Sequence, residues 1–200
     1  MRKFPVLAAA AVCTVALVSG CATGTDAVAT GGTFDFVSPG GQTEIYYDPP
    51  SERGTLGELT GPDLMEEGKT TSLSDYEGKA VVLNVWGQWC GPCRGEADDL
   101  EEVFENTKDL GVQFLGINVR DNAQDKAQDF VIDNKVTYPS IYDPPMRTLS
   151  ALGGIPTSVV PTTIVLDKQH RVAAVFLREL LTEDLQPVVE RVAGEESDNQ

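Results

Sequence analysis

Two cysteines, Cys90 and Cys93, stand three residues apart behind a short apolar run, Ala80-Val81-Val82-Leu83-Asn84-Val85-Trp86, and ahead of an acidic stretch with helical spacing. Strand, turn and Cys-x-x-Cys at a helix start is an arrangement suited to thiol–disulfide exchange. Positions i and i+3 of a first helical turn share a face, so the two sulfurs come within bonding reach. The first cysteine lies where backbone N–H groups lack helical partners, and those donors and the helix dipole favour its thiolate. Thiolate is the attacking species in exchange. Pro92 suits this turn because its missing N–H has no helical partner to lose.

The chain holds four cysteines and one histidine, His170. Met1-Arg2-Lys3, an apolar run from Phe4 to Val18 and the sequence Val18-Ser19-Gly20-Cys21 together read as a lipoprotein signal peptide over residues 1–20. The run, about 15 residues, is short of the roughly 20 that span a bilayer. Cys13 then leaves with the signal peptide and Cys21 is consumed by lipid, so Cys90 and Cys93 have only each other. A zinc site needs further ligands, and no metal is expected. So short a loop removes little chain entropy, which argues against a purely structural disulfide. His170 falls in a turn and is expected in solvent rather than in catalysis.

The full chain carries 15 basic against 31 acidic residues, a net charge of −16. Loss of residues 1–20 removes Arg2 and Lys3 and no acid, leaving 13 against 31 and a charge of −18. Such a surface repels phosphate backbones and anionic lipid heads, which excludes nucleic acid as a partner and assigns membrane attachment to acyl chains. The expected address is the outer side of the cell membrane, held by the lipid on Cys21.

The elements that must position the cysteines can be followed in order. Residues 21–41, rich in Thr, Ala and Gly, read as a lipidated cysteine and a flexible tether reaching about 25 Å on average. A domain is expected over 42–194, and 195–200 form a polar tail. Thr43 to Tyr47 suggests a short strand, Thr55 to Leu64 an edge strand, Glu66 to Lys69 a hairpin turn and Thr71 to Ser74 a helical turn. Ala80 to Trp86 is too continuously apolar for a half-exposed strand and should be central. After Cys93, the positions Leu100, Val103, Phe104 and Leu110 mark the inner face of a helix that stops before Gly111. Gly111 to Val119 is a second central strand. A helix capped by Asp121 or Asn122 should follow, with Ala123, Ala127, Phe130 and Val131 inward. Tyr138 to Tyr142 is extended, and Met146 to Leu152 suggests another helix. Thr162 to Leu166 and Arg171 to Phe176 form an antiparallel hairpin. A last helix starts near Thr182 with Leu185, Val188, Val189 and Val192 inward, and Pro187 is expected in or near its first turn. No internal repeat is evident.

The stretch Trp86-Gly87-Gln88-Trp89-Cys90-Gly91-Pro92-Cys93-Arg94-Gly95-Glu96, with Val160-Pro161-Thr162-Thr163 later, resembles the thioredoxin superfamily and within it the membrane-anchored TlpA/ResA type, over roughly residues 55 to 193. The resemblance implies an α/β thioredoxin-like fold: a mixed central sheet flanked by helices, an N-terminal β-hairpin extension and a mid-domain βα insertion. It implies a cis-proline opposite the disulfide, Pro161 in preference to Pro156, with Val160 pairing to an extended client. Trp89, Gly91 and Pro92 would shape the docking surface. The likeness supports an active-site role for Glu96, which could raise the thiol pKa values or take a proton. The family usually has Pro two residues after this Glu, where Asp98 stands here, so the helix kink and the burial of Glu96 are open. Asn84 occupies a position where cytoplasmic thioredoxins hold a buried carboxylate; it either tunes the thiols or is a hydrogen-bonded strand residue.

The implied activity is that of an enzyme exchanging protein thiols and disulfides with no cofactor beyond the Cys90–Cys93 pair. By resemblance it reduces cysteine pairs of exported proteins such as apocytochrome c and is recharged by a membrane relay of the CcdA kind. A monomer is expected. The alternatives are an exported disulfide-donating oxidase and, from another class, a redox-inert docking or metallochaperone domain. Copper-handling relatives place three residues between their cysteines, where two stand here, and add a histidine, whereas the single histidine of this chain, His170, falls in a turn far along the sequence. The Thr-x-x-Cys of a peroxidase is missing from Val85 to Cys93.

Overall fold

The structure, a computed structural model, describes residues 28–156 and 158–195. The segment expected to be a signal peptide (residues 1–20), Cys13, Cys21 and residues 196–200 lie outside the described residues.

The chain forms β1 (Val28–Thr30), β2 (Glu44–Tyr46), β3 (Glu58–Pro62), β4 (Thr70–Ser72), β5 (Ala80–Trp86), α1 (Gly91–Thr107), β6 (Val112–Asn118), α2 (Gln124–Asp133), β7 (Ser140–Tyr142), β8 (Thr162–Leu166), β9 (Val172–Phe176) and α3 (Thr182–Ala193), with short 3-10 turns between. Six strands make the main sheet in the order β2-β9-β8-β5-β6-β7, and β1-β3-β4 make a small second sheet. The main sheet is mixed: β5 pairs parallel to β6 and antiparallel to β8. This is the thioredoxin-like architecture that the sequence predicts.

All seven residues of β5 are buried, as are all five of both β8 and β9. Side chains alternate between faces along a strand. Leu83, Val85 and Ile164 accordingly enter one core with Leu115 and Ile117, while Val82, Val165 and Ala174 enter another with α3. Helix α1 presents Cys93, Glu96, Ala97, Leu100 and Val103 to the interior, and the 3-10 turn Lys108–Leu110 that continues it stops at Gly111, whose left-handed φ of 81° suits glycine. The helix runs without a break from Gly91 to Thr107, through Asp98.

Several expectations are corrected. The segment 21–41 is not wholly a tether: β1 pairs antiparallel with β3, and Phe34 is buried, its ring set edge-on to Tyr47 at 5.1 Å. The domain therefore begins by residue 28 rather than 42. An isolated aromatic in a Gly- and Thr-rich stretch is a weak signal, yet burying one ring is enough to hold a short segment down. Leu110 is 54% exposed, since the last turn of the helix tightens to a 3-10 turn and rotates it outward. Neither Asp121 nor Asn122 caps α2; its N-cap is Ala123, which is exposed and makes no side-chain cap bond. Only a 3-10 turn, Thr148–Ala151, forms where a helix from Met146 is expected, because the Asp143 carboxylate captures the N–H groups of Arg147 and Thr148. Pro187 sits in the second turn of α3, and both Pro187 and Glu183 are exposed, so solvent can satisfy the carbonyl that loses its partner.

Replacing Phe34 by Ala should cost about 3 kcal/mol of stability, the range for a buried aromatic truncated to Ala. Urea unfolding measures it; a loss under 0.5 kcal/mol would mean that the segment before residue 42 is not part of the cooperative unit.

Candidate active site

Cys90 is the N-cap of α1, and its extended backbone lets the chain turn from β5 into the helix. Cys90 and Cys93 are joined by a disulfide. Cys93 N–H donates to the Cys90 sulfur at 3.2 Å, so the helix end aims a backbone donor at the atom that carries charge when the bond is reduced. Cys90 N–H is held by the Gly87 carbonyl at 3.0 Å and its own carbonyl accepts from Arg94 N–H.

The two cysteines are almost equally buried, Cys90 being 4% and Cys93 3% exposed as residues. What separates them is their surroundings. Cys90 Sγ lies 3.6 Å from the Val160 carbonyl oxygen, at the rim. Cys93 faces inward onto a cavity with room for about one water molecule, shared with Asn84, Trp86 and Tyr138.

Opposite Cys90 stands a cis peptide, and it is Val160–Pro161. Pro156, the reserve candidate, is not in a cis bond; among the described residues the other cis proline is Pro49, preceded by Asp48, remote in sequence. The start of β8 carries Pro161 to Cys90 because Val85 pairs with Thr162 across the sheet.

Trp89 is 41% exposed, and Gly91 and Pro92 are exposed beside it. The Trp89 indole folds back so that Nε1–H donates to the Val119 carbonyl at 3.0 Å. A Cβ at Gly87 would collide with that indole, which is why glycine is required two residues before it. The loop is also tied by Asp121, whose carboxylate accepts from Gln88 N–H at 2.9 Å and from Asn118 Nδ2 at 2.7 Å. Asp121 is thus a site residue that sequence spacing assigns wrongly to a helix cap; nothing local distinguishes the two uses.

Glu96 is buried, 1% exposed, one turn beyond Cys93 on the inner face of α1. Its Oε1 accepts from Asn84 Nδ2 at 2.9 Å and its Oε2 from Leu180 N–H at 3.1 Å. Burial pushes its pKa up to about 8, against those two hydrogen bonds, with the charges of Glu179 and Asp99 pushing the same way as burial. Asn84 also donates to Thr163 Oγ1 at 3.1 Å, joining β5 to β8 behind the disulfide. Asn84 is therefore a hydrogen-bonded strand residue, and it also touches the buried carboxyl. Among the described residues no group of His, Cys, Asp and Glu is gathered as metal ligands. His170 is partly buried in its turn, its ring nitrogen 3.1 Å from the Tyr76 carbonyl oxygen, remote in the sheet from β5's end.

Residues 57–175 match the model of the AhpC/TSA family. Thiol-disulfide oxidoreductase ResA of Geobacillus thermodenitrificans is 32% identical over 139 residues, covering 66% of this chain and 76% of the relative. A secreted thiol-disulfide isomerase from Corynebacterium glutamicum superposes with a TM-score of 0.80 at 55% identity, covering 82% of this chain and all of that one. A DsbF homologue from Corynebacterium diphtheriae gives 0.75 at 58% identity, covering 80% and 99%.

The raised pKa of Glu96 makes a pH prediction. Between about 4.5 and about 8 the unfolded chain has lost this proton while the folded chain keeps it, so the group lowers stability as pH rises through that window. Glu96→Gln, which can keep a bond to a flipped Asn84 amide, should remove that slope. The difference between the two proteins at pH 8.5 relative to pH 4.5 should be on the order of 4 kcal/mol by the usual conversion. Urea unfolding of both oxidised proteins at the two pH values is the measurement; parallel pH profiles would refute it.

Proposed function

The chain belongs to the AhpC/TSA family and is a thiol–disulfide oxidoreductase of thioredoxin-like fold; we propose that it is an exported lipoprotein that reduces cysteine pairs of exported proteins, apocytochrome c among them. The observation that carries the exchange chemistry is the seating of Cys90, with Cys93 N–H on its sulfur and the carbonyl of the cis Val160–Pro161 peptide beside it.

In this cycle the Cys90 thiolate attacks one sulfur of a client disulfide. That S–S bond breaks, a mixed disulfide forms at Cys90, and the client's other sulfur leaves as a thiolate. Cys93, as thiolate, then attacks Cys90 Sγ; the Cys90–Cys93 bond closes and the client departs as a dithiol after taking up its protons. Two electrons pass from the protein's dithiol to the client. Glu96 is the group that accepts the Cys93 proton: a carboxyl protonated up to about pH 8 beside the closed disulfide is the state expected after that transfer. Trp89, Gly91 and Pro92 offer the docking face, and Val160 pairs with the client's backbone in strand-like fashion. No cofactor takes part beyond the disulfide. A membrane relay of the CcdA kind restores the dithiol.

Export rests on residues 1–20 and the lipid on Cys21, and it gains support from the C. glutamicum relative, described as secreted. Among the described residues no helix is long and apolar enough to cross a membrane, and the lipid supplies the anchor in this reading. The reductive direction rests on the likeness to ResA. A second reading, isomerisation of disulfides in place of their net reduction, is favoured by the C. glutamicum relative at 55% identity, described as a thiol-disulfide isomerase.

Cys93→Ala should stall the mixed disulfide on Cys90 and, in cells, trap cysteine-pair proteins that non-reducing gels resolve; trapping without any cytochrome c would remove the haem-maturation claim. Cys90 and Cys93 should be found mostly reduced in growing cells by thiol alkylation. A steady-state disulfide there would count against the reductive direction, and no turnover of insulin disulfides above buffer would end the enzymatic reading altogether.

A further inference from the structure

Next to the redox loop the backbone does something that ordinary residues avoid. Arg120, at the end of β6, has φ 58°, and Met146, with φ 63°, lies against it. Non-glycine residues in this left-handed region are uncommon and tend to gather at functional sites. Here each is held by neighbours: Arg120 N–H donates to the Pro144 carbonyl at 3.2 Å, Met146 N–H to the Asp143 carbonyl at 3.0 Å, and Arg120 Nε–H to the Met146 sulfur at 3.1 Å.

The residues on either side of Arg120 explain its conformation. Val119 is buried, its N–H donates to the Trp86 carbonyl and its own carbonyl receives the Trp89 indole. Asp121 is buried and fastens Gln88 N–H. With both neighbours committed to the loop before Cys90, Arg120 is turned so that its guanidinium carbon lies 5.7 Å from the centre of the Trp89 ring. That distance is within cation–π range. The indole, whose residue is 41% exposed, is thereby gripped between the Val119 carbonyl at its edge and a cation on its face.

We propose that Arg120 is a positioning residue: it fixes the Trp89 indole as a rigid plate beside Cys90, against which the client segment flanking a cysteine docks. This rests on the reading that Trp89 belongs to the client-docking face. A ring already held in place loses no side-chain freedom when the client arrives, which favours binding rather than bond exchange. The loss of Arg120 should therefore appear in KM more than in kcat.

The test compares Arg120→Ala, Arg120→Gly and Arg120→Lys in the full chain labelled with 5-fluorotryptophan. Only Trp86 and Trp89 carry the label, and a Trp89→Phe sample assigns the two resonances. Arg120→Ala and Arg120→Gly should shift or broaden the Trp89 resonance while that of Trp86 stays, and should raise KM for disulfide-bearing protein substrates such as insulin about fivefold, the size of an exposed cation–π contact. Arg120→Lys should recover part of both. Glycine relieves the left-handed backbone, so wild-type behaviour of Arg120→Gly beside a defective Arg120→Ala would overturn the proposal in favour of backbone conformation alone. An unmoved Trp89 resonance in both variants would overturn it too. The fluorine spectrum reads positioning without turnover, so a failure of the functional reading, seen as no turnover in the unmodified protein, is told apart from a failure here.

Discussion

The site depends on the register between β5 and β8. Val85 opposite Thr162 and Asn84 opposite Thr163 put the end of one central strand beside the start of its antiparallel neighbour. The chain leaves β5 into the cysteine loop and enters β8 from the cis Val160–Pro161 peptide, so this pairing alone brings the two halves of the site together. A slip of one residue would turn every side chain to the opposite face. Asn84 would then lose Glu96 and Thr163, and Pro161 would move along Cys90. The register is protected by burial on both faces, since neither strand has a solvent side to exchange for its core side.

Around that junction two opposite electrostatic environments lie within two helical turns. The N-terminus of α1 offers a backbone donor to the Cys90 sulfur, which favours negative charge there. One turn beyond Cys93 the same helix carries a carboxyl into the core, where burial outweighs the two hydrogen bonds that favour its ionised form. Charge is welcomed at the rim and resisted in the interior. An exchange reaction needs that asymmetry, because the attacking sulfur must be anionic in contact with the client while the interior sulfur must give up its proton without stranding charge in the core.

Much of this was legible from the chain because the signals are local. The Cys-x-x-Cys spacing, the uniform apolar runs of β5, β8 and β9 and the glycine after α1 each encode their own outcome. Pro161 was legible through its position before β8, and the structure bears out its preference over Pro156 as the cis proline. The depth of Glu96 was not, since it depends on Leu180 and Asn84, 84 and 12 residues away, closing over it. Phe34 was missed for the same reason: its partner Tyr47 and the pairing of β1 with β3 lie beyond any periodic window. Asp121 was read as a cap because aspartate before a helix usually is one. Its carboxylate was instead claimed by Gln88 and Asn118, a choice that only the folded loop decides.

The docking face proposed above bears on how such proteins come to differ in client. Its centre is largely backbone: in that proposal the Val160 carbonyl and the exposed Gly91-Pro92 turn would meet an extended chain without reading its side chains. In the same proposal selectivity would come from side chains around that centre, among them the Trp89 indole and the guanidinium groups of Arg94 and Arg120. Arg94 donates to the Gln88 carbonyl at 2.7 Å and Arg120 covers Trp89, so both cations bear on the two residues ahead of Cys90. In a chain of net charge −16 this local positive fringe runs against the overall field. Long-range attraction and short-range docking therefore select on different features of a client, and substitutions at the fringe can retarget the site while β5, β8 and α1 stay as they are.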